Sequence, residues 1–388
     1  MSDDRAETAR CLLCGSAGLH VTYEDPKGRM VTSDCKPWPY AATVIVCMTC
    51  GHLQKLATEE LDRQTQAAYA HYDLYHLSDG GEQFLFDACQ EPPRSRSARI
   101  LDRLQQLIDL HPSGQMLDVG CGNGAMLQAF GTRFPQWTLY GYEQNSRNRT
   151  RVLGLPGVVG FYEDGLDAID RTFDLITLIH VLEHVRRPEH MLKQLHGLLA
   201  PQGVLLIQVP NAIENPFDMI IVDHYSHFSA NVLSRFVTKL GYEVLCCTTD
   251  WVDKEITLVL RPGQRAQPEF DARPLALELV KRYQQNAEWL RRVARDAGQH
   301  AAHSHFGVFG TAIAGTWLGA VLGDSVRFFV DEDSRRVGKR HLGKPIRHPG
   351  ELTPTDSVFL AFPYPIAERV YNRLSGVSRA EYLLPPAL

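Results

Sequence analysis

The stretch Met116-Leu117-Asp118-Val119-Gly120-Cys121-Gly122-Asn123-Gly124 decides how the rest of the chain is read. A short apolar run starting at Gln115 enters a turn with glycine at every second position, and helical periodicity follows from about Ala125. Gly120, Gly122 and Gly124 permit positive φ and let backbone approach a ligand with no Cβ in the way. The spacing is GxGxG, whereas the dinucleotide fingerprint is GxGxxG. Asp118 stands two residues before the first glycine, where a carboxylate repels a pyrophosphate and suits a cation. The sulfonium and amino group of S-adenosylmethionine meet that need; a dinucleotide, or a strand-turn-helix without ligand, is the alternative. Glu143 ends the next strand-like run, Leu139 to Glu143, where a carboxylate can accept both ribose hydroxyls of a nucleoside.

Outward from this motif, residues 111–262 alternate apolar runs with helical periodicity, the pattern of a parallel sheet. The expected strands are Gln115–Val119, Leu139–Glu143, Phe173–Leu178 and Val204–Val209. A linker at about Pro262–Pro274 leads to a long helix, Leu275–Ala301, and a second α/β pattern begins at Phe306. There Val308-Phe309-Gly310-Thr311-Ala312-Ile313-Ala314-Gly315 fits a GxAxxG variant of the dinucleotide fingerprint, and Asp331 stands at the spacing of a ribose contact. A basic cluster, Arg335-Arg336 to Arg347-His348, reads as a solvated face or as a phosphate contact. Residues 59–110 read as a helical connector that includes a Tyr/His-rich stretch from Tyr69 to Ser78, and residues 1–58 are rich in Cys and turn residues. The expected fold class is α/β: a central Rossmann-like sheet at 111–262, a small N-terminal module at 1–58 and a C-terminal Rossmann-like domain at 263–388.

Cys11-Leu12-Leu13-Cys14 and Cys47-Met48-Thr49-Cys50 are two CxxC pairs, each followed by glycine. Four thiolates so arranged can close a tetrahedron around Zn²⁺ and leave no position open for water, so the metal is expected to be structural. A redox dithiol or fortuitous cysteines are the alternatives. Cys35, between the pairs, reads as a spare thiol.

The 388 residues suggest two or three domains. A net charge of -5 argues against nucleic acid as a partner. The first residues hold no apolar core of a signal peptide, and no apolar run is long enough to span a bilayer, so a cytoplasmic location without a membrane partner is expected.

The glycine turn resembles motif I of class I methyltransferases. The segment Phe173 to Val185, which contains Ile179-His180-Val181-Leu182-Glu183-His184, resembles their fourth strand, and Leu198 to Pro210 resembles the fifth with its preceding turn. The resemblance implies that Asp118, Gly120, Gly122 and Glu143 line the cofactor site, with Tyr162 to Leu166 near the adenine. Glu183-His184 looks like a catalytic dyad but is read as structural, because that pair occurs in methyltransferases with unrelated acceptors.

The whole layout is similar to the sugar C-methyltransferases of deoxysugar biosynthesis, which join a zinc-binding domain, a class I domain and a C-terminal Rossmann-like domain. Their segment Tyr-His-Glu-His-x-Ser-Tyr-Phe-Ser corresponds to Ile221-Val222-Asp223-His224-Tyr225-Ser226-His227-Phe228-Ser229. The resemblance implies that His224 is the general base and Asp223 its orienting carboxylate. The family's first Tyr has no counterpart at Ile221, and another is replaced by His227. Tyr72 and Tyr75 fall in a region where the family has an active-site Tyr. A base near neutral pH suits removal of a proton beside a carbonyl, and His224 or His227 would equally serve transfer to oxygen. The Asp223, His224 and His227 group also reads as a hydrogen-bonded loop cluster or a metal site. The expected function is therefore methyl transfer to a small polar acceptor, on carbon of a nucleotide-linked deoxy or keto sugar by the resemblance. The alternatives are O- or N-methylation of another small molecule, or dinucleotide binding through the C-terminal domain.

Overall fold

Five of the apolar runs form parallel strands of one seven-stranded sheet: Gln115–Val119, Thr138–Tyr142, Val158–Tyr162, Phe173–Ile179 and Leu199–Pro210. The structure is a computed structural model and describes residues 9–24, 29–70, 72, 82, 84–87, 90–263, 272–302, 305–376 and 378–388. The strand Glu255–Pro262 runs antiparallel to both its neighbours, Leu199–Pro210 and the edge strand Tyr242–Thr248. Numbered along the chain, the strands lie in the order 3-2-1-4-5-7-6. The chain leaves strand 1 toward one edge and returns on its other side, so the crevice for a ligand opens at the carboxyl ends of Gln115–Val119 and Phe173–Ile179. Side chains alternate across the sheet: Leu117, Val119, Ile176 and Leu178 join one apolar core, while Met116, Leu139 and Leu175 join the core on the other face.

A second parallel sheet lies in the C-terminal part. His305–Phe309, Phe328–Val330, Lys344–Arg347, Asp356–Leu360 and Glu381–Leu383 form it in the order 3-2-1-4-5, with the short strand Arg340–His341 antiparallel at one edge. This is the doubly wound arrangement expected there.

The N-terminal cysteines sit on an antiparallel sheet of Leu19–Tyr23, Val44–Cys47 and Leu53–Lys55. Its fourth strand, Ser226–His227, comes from the segment that follows Leu199–Pro210 and pairs with Leu53–Lys55. A bridge between Val31 and Ile221 adds a second seam between the two units.

The connector differs from the expectation for 59–110. Helices Glu59–Ala70 and Arg96–Leu107 flank a strand pair, Phe84–Asp87 with Gln90–Ser95. Pro92 and Pro93 lie in the second strand, and a Pro-Pro pair cannot continue a helix.

The long helix Arg273–Ala301 joins everything. Its residues Tyr283, Trp289, Leu290 and Val293 share one core with Val44 and Val46 of the cysteine module, Phe217 and Met219 of the central unit, and Phe306, Trp317 and Phe329 of the C-terminal unit. Phe217 meets Trp289 edge-on at 5.4 Å and Trp317 at 5.9 Å. The three expected domains are thus welded through a common interior.

Candidate active site

The glycine turn is cut from backbone hydrogen bonds. Gly120 and Cys121 both donate to Tyr142 O, at 2.8 and 3.1 Å, which tethers the turn to the neighbouring strand. A Cβ on Gly120 (φ +72°) would meet Val181 Cγ2 at 2.3 Å, so only glycine fits between the turn and the next strand end. Gly122 (φ +51°) faces open space, with no atom within 4 Å of a Cβ built on it. Its N–H donates to Glu143 Oε2 at 3.1 Å, and Gln144 N donates to Glu143 Oε1 at 2.9 Å. Glu143 N in turn donates to Tyr162 O, which puts the Tyr162 strand end beside it. Asp118 is buried; its Oδ1 accepts from Thr177 Oγ1 at 2.6 Å, and burial pushes its carboxyl up to about 7. An open cradle, a buried carboxylate with no ion-pair partner among the described residues and a second carboxylate at the adjacent strand end fit a cationic nucleoside such as S-adenosylmethionine.

Val181 packs on this turn, and three residues further His184 N donates to Val181 O at 3.0 Å. The strand end is strained at His180, which adopts φ +53°. Its Nδ1 lies 3.0 Å from Glu183 Oε1 and its Nε2 3.3 Å from Glu255 Oε2. His184 donates from Nδ1 to Asp223 O at 2.9 Å and meets the His224 ring edge-on at 4.5 Å. His184 therefore belongs to the histidine cluster beside the glycine turn, although its sequence context reads as structural.

His224 does not pair with Asp223. Its Nδ1–H donates to Asp218 Oδ1 at 2.7 Å, and His227 Nδ1–H donates to Asp218 Oδ2 at 2.7 Å. Asp223 instead accepts from Ser33 N at 2.8 Å and from Ser33 Oγ. The expected orienting role of Asp223 is thus corrected: consecutive side chains leave the backbone in different directions, and Asp223 points to the N-terminal module. One carboxylate, Asp218, serves both imidazoles. The two rings leave Asp218 well below the usual carboxylate range despite its burial. Burial lowers the pKa of His224, but the carboxylates of Asp218, Glu183 and Asp223 together outweigh it, and the pKa is raised. His227 is pulled down to about 4 by burial and by Lys55.

Lys55 Nζ lies 2.8 Å from His227 Nε2 and 2.7 Å from Met219 O, and its side chain is fully buried. Burial lowers its ammonium to about 7. Sequence reasoning misses Asp218 and Lys55 because neither lies in a motif or a periodic stretch, and only the folded chain brings them to His227. Tyr69 touches His184 edge-on at 5.8 Å and Tyr72 at 5.4 Å, so the connector helix closes over the cluster. Tyr75 lies outside the described residues.

The four cysteines converge. Cys11 Sγ lies 3.6 Å from Cys50 Sγ and Cys14 Sγ 3.6 Å from Cys47 Sγ, and all four sulfurs lie within 4.8 Å of one another. A disulfide requires about 2 Å, whereas a tetrahedron with Zn–S of about 2.3 Å has edges near 3.8 Å. The set could hold one metal ion.

In the C-terminal unit a Cβ on Gly315 would come within 2.0 Å of Gly310 O, so glycine permits the close strand-helix contact of a Rossmann turn. Asp331, however, accepts from Thr311 Oγ1 at 2.7 Å through Oδ2 and from Asp333 N at 3.0 Å through Oδ1. Arg336 also reaches Thr311 Oγ1 at 3.0 Å. The basic cluster is likewise bound internally, Arg335 to Asp333 at 2.7 Å and Arg347 to Asp356 at 3.2 Å. Arg335, Arg336 and Arg347 are partly exposed, and Arg340 and His348 face solvent. Among the described residues no helix is long and apolar enough to cross a membrane.

Residues 93–246 match the family described as a methyltransferase domain. A trans-aconitate 2-methyltransferase of Deinococcus radiodurans is 31% identical over 150 residues, covering 38% of this chain and 54% of the relative. A ubiquinone biosynthesis O-methyltransferase of Xanthomonas oryzae pv. oryzae is 26% identical over 155 residues, covering 38% of this chain and 64% of the relative. The chain therefore spans less than two thirds of the length of these relatives. The crystal structure of the plantazolicin methyltransferase BpumL is 15% identical and covers 53% of this chain and 97% of that one, with a TM-score of 0.41. The strand order, the glycine turn with its carboxylates and the family match agree: residues 93–246 form a methyltransferase domain.

Proposed function

We propose that the chain transfers a methyl group from S-adenosylmethionine to a small polar acceptor, with His224 as general base. The observation that carries this reading is the orientation of His224. Its Nδ1–H is held by the Asp218 carboxylate, which leaves Nε2 with a lone pair, and the ring abuts His184 next to the glycine turn. When bound, the cofactor supplies an electrophilic methyl group. Asp118, with the backbone of Gly120 and Gly122, would face its amino acid part, and Glu143 its ribose. His224 would take the proton from the acceptor as the nucleophile forms, and positioning of the two reactants supplies much of the rate. Cys11, Cys14, Cys47 and Cys50 would hold a structural Zn²⁺.

For the acceptor, we favour carbon of a nucleotide-linked deoxy or keto sugar. The cysteine module, the carboxylate-bound His224 and the C-terminal α/β unit support it together. The trans-aconitate and ubiquinone relatives favour the second reading, transfer to oxygen or another small acid. Their similarity covers 38% of the chain. Dinucleotide binding at Asp331 is disfavoured, since both carboxylate oxygens are engaged within the fold.

The direct test is calorimetry with Glu143→Ala. Loss of hydrogen bonds from two ribose hydroxyls to a charged acceptor is expected to weaken S-adenosylhomocysteine binding by about 10- to 100-fold. Unchanged affinity would remove the cradle from the cofactor site. A second expectation concerns pH. Asp118 in the free protein is protonated below about 7, and only its ionised form attracts the amino group of the ligand. Affinity should therefore rise with pH between about 5.5 and 7.5, by up to about tenfold per unit at the acid end, with proton release on binding. A flat affinity across that range would assign Asp118 to structure.

A further inference from the structure

We propose that Lys55, delivered by the last strand of the cysteine-bearing module, is a positioning residue for methyl transfer: through His227 it holds Asp218, and through Asp218 it sets the tautomer and proton affinity of His224. This rests on the reading of His224 as the base.

The path is continuous and buried. Lys55 Nζ meets His227 Nε2 at 2.8 Å; His227 Nδ1 meets Asp218 Oδ2 at 2.7 Å; Asp218 Oδ1 meets His224 Nδ1 at 2.7 Å. Lys55 and His227 have no exposed surface, Asp218 is 1% exposed and His224 3%. Lysine is almost never fully buried unless paired, and an isolated buried ammonium is strongly unfavourable. Lys55 has no carboxylate within ion-pair distance among the described residues; its acceptors there are a carbonyl, Met219 O, and an imidazole nitrogen. That arrangement does little for stability that a leucine would not do better. It does one specific thing: a donor at His227 Nε2 forces the His227 proton onto Nδ1. His227 then must donate to Asp218, and both oxygens of Asp218 are engaged with fixed geometry. Asp218 in turn keeps the His224 proton on Nδ1 and the lone pair on Nε2.

The other groups facing His224 are Glu183 and His184 from the turn Leu182–His184, and Asp223 beside it in the chain. Tyr69 faces His184 from the connector helix. In the chain of contacts that ends on Asp218, Lys55 is the terminal cation. While Lys55 is protonated, removing its charge, on the order of 10 Å from His224, should raise the affinity of His224 for a proton by up to about one pH unit at an effective dielectric near 20.

The test is an NMR titration of the His224 ring, assigned with His224→Gln, in the full chain and in Lys55→Met. We expect the His224 midpoint to move up by about one unit. With an acceptor in hand, the acid limb of kcat should move the same way, at unchanged KM for S-adenosylmethionine. In Lys55→Met combined with His227→Tyr, a hydroxyl donates to Asp218 without needing a partner behind it, so the double variant should recover most of the turnover lost by Lys55→Met. A His224 titration in Lys55→Met that overlays the parent would overturn the proposal, whatever the activity. Should Lys55→Met not fold, His227→Phe is measured in its place; Asp218 then loses a donor and pulls harder on the His224 proton, with the same two outcomes. The two readings separate cleanly. A shifted titration with full activity in His224→Ala keeps the linkage and removes the base, whereas an unshifted titration with an inactive His224→Ala does the reverse.

Discussion

Replacing His224 with alanine is expected to lower kcat by about 10²-fold or more while S-adenosylmethionine still binds. The two halves of that expectation come from different parts of the structure. The donor cradle is built from Asp118, Gly120, Gly122 and Glu143, whose hydrogen bonds run among themselves and to Tyr142, Gln144, Tyr162 and Thr177, while the side-chain hydrogen bond of His224 runs to Asp218. The base side depends on Asp218, which turns the imidazole so that Nε2 is free. The pH profile supplies the sign. The pKa of His224 is raised, because Asp218, Glu183 and Asp223 together outweigh burial. The unprotonated ring is the active form, so turnover should climb with pH through that raised value, and the climb should vanish in His224→Ala. Steady-state kinetics with S-adenosylhomocysteine release as the readout, beside calorimetry of donor binding, measures both. A variant that turns over near the parental rate would take His224 out of the mechanism and leave the cradle intact.

The donor half of the site is legible in the amino-acid sequence because its chemistry is local. A strand, a glycine turn and a helix occupy consecutive residues; a Cβ on Gly120 would meet Val181 and one on Gly124 would meet Leu155, while Gly122 leaves the cradle open. The second Rossmann-like sheet is legible for the same reason. The acceptor half is not. Asp218 lies six residues from His224 and nine from His227 on a short 3-10 turn, where no hydrophobic period fixes the direction of a side chain. Asp223, the neighbour in sequence, is the natural partner for His224, yet it faces Ser33 across 190 residues of chain. Lys55 is 172 residues from His227, and the pairing exists only because Ser226–His227 completes the sheet of the cysteine module. Contacts made by sheet completion between distant segments leave no mark in local spacing. At Asp331 the distance from Gly310 fits a ribose contact, and the fold adds a partner that spacing does not reveal: Thr311, the next residue after that glycine, donates to its Oδ2.

From that same sheet completion it is expected that a metal ion held by the four cysteines supports turnover as well as the fold. Elemental analysis is expected to find one zinc per chain, held by Cys11, Cys14, Cys47 and Cys50. Cys47→Ser, or exhaustive chelation, should lower stability by several kcal/mol, since a small module of this kind draws much of its folding free energy from the ion. Cys11 and Cys47 show why no set of thiols replaces it. With their sulfurs and those of Cys14 and Cys50 within 4.8 Å of one another, four thiolates repel, so without a cation they cannot all stay ionised. The strand that leaves Cys47 and Cys50 is Leu53–Lys55, which pairs with Ser226–His227 and carries Lys55 to His227. Freed of the ion, that strand loses its anchor, and Asp218 loses one of the two donors that fix it. Turnover should then fall by about 10²-fold, whereas affinity for S-adenosylhomocysteine, which depends on the seven-stranded sheet, should stay within a few-fold. A zinc-free preparation with unchanged melting temperature and unchanged kcat would separate the cysteine cluster from both fold and chemistry. A parallel loss of donor binding would instead show that the ion supports the whole chain through its shared core.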